Sequence, residues 1–137
     1  MSTRKSESGR ATARWIAGCC LAAGTVAASA TSALDFDVWM RAIDERSVAV
    51  QKHIAAGDTT AATQDAQALE RLYGQTEDWL VRDGQAADAV AIAHDGRALA
   101  AAIPVALAAH DLDAAATSAR GIARACNDCH DNYKPFK

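Results

Sequence analysis

Near the C-terminal end of the chain, Cys126-Asn127-Asp128-Cys129-His130 combines two thiols and an imidazole at a spacing that specifies a chemistry. Thiols three residues apart on a helix lie on one face, so both can add to the two vinyl groups of a haem as thioethers. The next residue, His130, then lies beneath the ring as the proximal iron ligand. Other readings of C-x-x-C-H fit less well. A thioredoxin-like pair sits at the start of a helix that follows a strand, whereas this pair belongs to the end of a helical pattern. A structural zinc site takes four ligands, and after residue 33 no second Cys or His pair stands at ligand spacing. A disulfide between these two thiols would close a very small loop and so stabilise little.

The first 33 residues read as an export signal. Arg4, Lys5, Arg10 and Arg14 form a basic leader, and Trp15 to Ala28 is an uncharged stretch of about 14 residues, short of the ~20 a membrane span needs. Ala28-Ser29-Ala30 fits a small-residue cleavage site, with Thr31-Ser32-Ala33 as a second choice. Ile16-Ala17-Gly18-Cys19 looks like a lipoprotein box, but Arg14 stands where the apolar stretch should precede it, which argues against a lipid anchor. Cleavage would remove Cys19 and Cys20, leaving residues 34–137 with Cys126 and Cys129 as their two cysteines. That domain carries ten basic against sixteen acidic residues, a formal charge of -6, where the full chain of 137 residues carries -3. An acidic domain of this kind disfavours nucleic acid as a partner. Export fits the motif, since haem of the c type is attached outside the cytoplasm.

Composition selects the fold class. Alanine makes up about a quarter of the chain, with two prolines, eight glycines and seven aromatics. Strands rich in β-branched and aromatic residues are therefore unexpected, and a chain that is 50% hydrophobic is not disordered. Four helical patterns account for residues 35–133. The first carries Phe36, Met40, Ile43, Ser47, Val50 and Ile54 at spacings of four and three, and Gly57 ends it. Asp58 is placed to cap the second, whose seam is Ala62, Ala66, Leu69, Tyr73, Thr76 and Leu80, closing at Asp83-Gly84. The third runs from about Gln85 to Ala109 with Val90, Ile92, Leu99, Ile103 and Leu107, and Pro104 should kink it. After a turn at His110-Asp111, the fourth has the seam Leu112, Ala115, Ala119, Ile122, Cys126, Cys129 and Tyr133, which points both cysteines into the core. A faint repeat aligns Ile54–Asp58 with Leu107–Asp111 at an offset of 53 residues, the mark of two similar corners. Four such helices joined by short turns predict one domain, 34–137, folded as an all-α, antiparallel, up-down-up-down four-helix bundle. Met40, Tyr73, Thr76, Trp79, Val90 and residues 126–133 then share one end, with His53 and His110 at the other.

A C-x-x-C-H late in the last helix of an alanine-rich four-helix bundle, followed by Tyr133, resembles the class II cytochromes c, the family of cytochrome c prime and its low-spin, methionine-ligated relatives. The resemblance covers about residues 35–134, and Cys126, Cys129, His130 and Tyr133 are its specific part. The family usually places Arg after the tyrosine, where this chain has Lys134, so any role of that arginine beside the haem does not carry over. The likeness implies one covalently attached haem c in a periplasmic electron carrier rather than an enzyme. Its partners would be redox proteins and a second copy in a homodimer, without stable membrane insertion. It also implies a choice at the sixth iron position. The low-spin relatives fill it with a methionine early in the first helix, and Met40 is the one methionine in residues 34–137. Met40 lies about five residues from the expected start of its helix and His130 about four from the end of its own, depths that match within a turn. An open site would instead make the chain a five-coordinate, cytochrome c prime-like binder of NO or CO. His94 is the competing ligand, Trp39, Tyr73 and Trp79 are candidate pocket residues, and Arg41 is a candidate partner for a haem propionate.

Overall fold

A computed structural model of the chain describes residues 33–133. The expected export signal, residues 1–33, lies outside the described residues except for Ala33, the first residue of the first helix, and the departure at Lys134 also lies outside them. Among the described residues there are four helices and no strands: α1 (Ala33–Ala55), α2 (Thr59–Arg82), α3 (Ala87–Ala108) and α4 (Leu112–Tyr133). They form an all-α four-helix bundle, each helix packing on two neighbours: α1 and α3 both contact α2 and α4. Turns of three or four residues make sequential neighbours antiparallel. The seam between α1 and α4 is the least tightly closed of the four.

The first and third corners are built alike. At α1–α2, Gly57 takes φ 73°, its N–H donates to Ile54, and the next N–H, from Asp58, reaches back to His53 at 2.9 Å. At α3–α4, His110 takes φ 59°, donating to Leu107, and Asp111 reaches back to Ala106 at 2.9 Å. Both are the paired bonds that close a helix through one left-handed residue. Each then opens the next helix the same way, Asp58 accepting from the Ala61 N–H at 3.0 Å and Asp111 from the Ala114 N–H at 2.9 Å. The 53-residue repeat is thus a repeated corner.

The core follows the expected seams in α1 and α2. Ile43, Ser47, Val50 and Ile54 are buried, as are Ala62, Ala66, Leu69, Tyr73, Thr76 and Leu80. The two seam hydroxyls bond back along their own helices, Ser47 to Ile43 and Thr76 to Leu72. Asp65, absent from the expected seam, is 3% exposed. Its carboxylate accepts a hydrogen bond from Arg46 on α1, and its other oxygen lies 2.7 Å from His53 Nδ1. A charge so deeply buried is tolerable because it is paired.

In α3 the inner stripe differs from the expected one. Ala89, Ala93, Gly96, Ala100, Ile103 and Leu107 are buried, whereas Val90, Ile92 and Leu99 are only half-buried. Small residues face inward because α2 and α4 approach α3 closely. The helix continues through Pro104. By length and composition it is apolar enough to cross a membrane, yet its inner stripe packs in the bundle. In α4 the seam is buried at Ala115, Ala119 and Ile122, while Leu112 and Tyr133 are exposed.

Candidate haem-attachment site

Both cysteines of the motif are free thiols on the last turns of α4, one helical turn apart and half-buried. The expectation that both point into the core is met only in part: Cys126 packs on the main core cluster, while Cys129 lies half-buried outside it. The bundle has no buried layer beyond Ile122 on this helix, and the motif stands on the rim of the core. Cys126 is the deeper placed by contact, packing against the main core cluster that contains Tyr73, and Met40 packs against that same cluster from α1. His130, in the final turn, is also half-buried, and Tyr133 is 37% exposed.

The remaining residues of this end form a second, smaller cluster. Leu80, Ala89 and Ala93 are its buried members, with Phe36, Trp79 and Val90 packed on them. The Phe36 and Trp79 rings lie 4.3 Å apart between centroids. Trp39 is half-buried on α1. His94, the competing ligand, faces outward, its side chain 65% exposed and its Nδ1 3.1 Å from Glu77 Oε1. Arg97 lies 3.5 Å from the other oxygen of the same carboxylate, so Glu77 ties α2 to α3 on the outer face. Arg41 is exposed and donates to the Asp37 carbonyl on its own helix. Counted from the described helix ends, Met40 is seven residues into α1 and His130 three from the end of α4, a difference of about 6 Å or one turn at ~1.5 Å per residue.

Local electrostatics raises the thiol and phenol groups of this end and lowers one carboxyl. Burial pushes the Cys129 thiol up, with the neighbouring charges of Cys126 and Asp88 adding to it. Tyr73 is raised chiefly by burial and further by Cys126, whose Sγ lies 3.3 Å from its hydroxyl. Asp88, in the first turn of α3, accepts a hydrogen bond from Tyr133, which holds its carboxyl below the usual range. The same bond, together with lesser burial, pushes Tyr133 up to about 12.

Asp88 and Gly96 were not singled out in the sequence. A glycine inside a helical pattern is a known mark of close packing, and that signal was present at Gly96. Nothing local marks Asp88, whose role depends on which helix lies beside it.

The donor set fits a covalently held haem. Two reduced thiols share one helical face, the adjacent histidine is half-buried, and a thioether side chain packs on the same core cluster. The helices carrying His130 and Met40 meet at the loosest seam of the bundle. A metal held by protein ligands alone is less well served, since no group of three or more Cys, His, Asp or Glu side chains comes together among the described residues. No match to a protein-family model, to a curated protein or to a solved structure was found.

Proposed function

We propose that this chain is an exported, monohaem c-type cytochrome of the class II kind that carries one electron at a time. The observation carrying the reading is the C-x-x-C-H at the rim of a four-helix bundle, with free thiols on one face of α4 and Met40 on the adjoining helix. Haem c bound there supplies a one-electron Fe(III)/Fe(II) couple. Cys126 and Cys129 hold it through thioethers, and His130 is the proximal ligand. Met40 is the sixth ligand, a soft thioether that favours ferrous iron and raises the potential. The apolar residues of the two clusters exclude water from one side of the site. Redox proteins of the periplasm are its partners in this reading.

Denaturing electrophoresis with haem staining tests it. Colour migrates with the protein, and the double variant Cys126→Ala/Cys129→Ala loses it. Colour that extracts into acidified organic solvent overturns the reading. A ferrous spectrum that is high-spin in the wild type, with rapid carbon monoxide binding, replaces the electron carrier by a five-coordinate binder of NO or CO.

A further inference from the structure

Helix α1 is unevenly fastened along its length. From Ile43 onward it carries all four of its buried residues, Ile43, Ser47, Val50 and Ile54, and Arg46 and His53 tie this half to the buried Asp65 of α2. Residues 33–42, about 15 Å of helix at ~1.5 Å per residue, contain no buried residue. Leu34 and Val38 are 76% and 56% exposed, and Arg41 bonds back to Asp37 within the helix. What this half lays on the bundle is half-buried. Phe36 stacks on Trp79 of α2, ring centroids 4.3 Å apart, and Met40 packs on the main cluster. Its other neighbour is α4, across the least tightly closed seam. A segment with so little buried surface opens at a fraction of the free energy that unfolds the whole domain.

We propose that residues 33–42 form an arm that opens as a unit about Ile43, carries Met40 off the iron and so admits a neutral diatomic ligand, carbon monoxide or nitric oxide, to the sixth position. The proposal rests on the haem and Met40 readings above. With the arm closed the chain is a His/Met electron carrier; with the arm open it has a binding site. In the exchange the Met40 sulfur withdraws the lone pair it shared with ferrous iron and the incoming ligand supplies another. No electron or proton is transferred. A ligand that binds only the open form draws the equilibrium towards it, and its apparent affinity is the intrinsic one reduced by the open fraction. Phe36 is the latch. It lies four residues nearer the free end than Met40, so an opening that lifts Met40 must also break the contact with Trp79.

The test is carbon monoxide binding to the reduced, haem-loaded full chain, with hydrogen exchange followed along α1. Low-spin wild-type protein binds carbon monoxide about ten- to a thousandfold more slowly than Met40→Ala, the range set by a minor state of 0.1–10%. Phe36→Ala raises the rate and the apparent affinity about two- to tenfold, as loss of one aromatic contact allows. Amides of residues 33–42 exchange faster than those of 43–55, and carbon monoxide speeds the first group alone. The exchange measurement needs no variant, so it decides the matter even where Phe36→Ala loses helicity. Low-spin wild-type protein that takes up no carbon monoxide, or that binds it without faster exchange in residues 33–42, overturns the arm and leaves the His/Met carrier standing. So does a well-folded Phe36→Ala that binds at the wild-type rate. A high-spin wild type that binds as fast as Met40→Ala overturns the Met40 reading, and with it the arm.

Discussion

Met40 is half-buried on the core cluster that also receives Cys126, and no other methionine exists in residues 34–137. If it binds iron, Met40→Ala converts a low-spin spectrum to a high-spin one, lowers the reduction potential and opens ferrous iron to fast carbon monoxide binding. An unchanged spectrum makes Met40 an ordinary core thioether. The two tyrosines of the chain, Tyr73 and Tyr133, test the hydrogen bonds around the motif. Both are raised in the fold, Tyr73 chiefly by burial and Tyr133, to about 12, chiefly by Asp88. A raised acid binds its proton more tightly folded than unfolded, so each contributes stability that is complete below pH ~10 and falls as pH rises above it, for Tyr133 through about 12. Absorbance at 295 nm should therefore show no tyrosinate step at pH 10 in the native protein, with ionisation and loss of helix coinciding above it. Tyr133→Phe leaves a single step from Tyr73, tied wholly to unfolding. Tyrosinate appearing at pH 10 with helicity intact contradicts the raised tyrosines.

At the scale of the helix, the corners carry the most local information. Gly57 and His110 occupy equivalent left-handed positions, and only glycine does so without steric cost. His110→Gly should therefore stabilise the fold by about 0.5–1 kcal/mol, the relief of backbone strain less the extra entropy glycine retains when unfolded. A urea midpoint that rises at constant slope checks it, and the mirror substitution Gly57→Ala should lower the midpoint. Helix α1 is joined to α2 by a different device, the buried Asp65 carboxylate with Arg46 and His53. It lies at the end away from the motif, so it anchors the bundle where no cofactor is expected.

The whole molecule is unevenly built. The main cluster runs through all four helices and contains Val50, Leu69, Ile103 and Ile122, the largest side chains that are fully enclosed. Among the described residues, the motif end beyond it has only Leu80, Ala89 and Ala93 as buried apolar residues. A small domain with so thin a core at one end depends on whatever fills that end, and a group bound only by the folded state adds its binding energy to stability. Protein produced without haem should therefore lose helicity at this end and melt earlier and more broadly than the loaded form. Circular dichroism on both forms measures it. A cooperative melt of the unloaded protein at the loaded protein's temperature would show that the bundle needs no haem to close.

Local chemistry was legible in the sequence. C-x-x-C-H sets its own geometry by helical spacing, and Asp58, Asp111 and Gly57 mark corners because capping and left-handed turns involve residues a few positions apart. The seams of α1 and α2 were also readable, since their large apolar residues recur against polar neighbours. In α3 they were not. Alanine is small and nearly as frequent on outer faces as on inner ones, so Val90, Ile92 and Leu99 stood out by size while the buried stripe was Ala89, Ala93, Gly96 and Ala100. The depth of the cysteines, the outward turn of His94, the pairing of Asp65 with Arg46 and His53, and the seat of the Tyr73 ring against Gly96 were decided only by tertiary structure. Each depends on how far one helix is rotated and advanced against another, a quantity set by side-chain volumes summed across the interface and carried by no single stretch of chain.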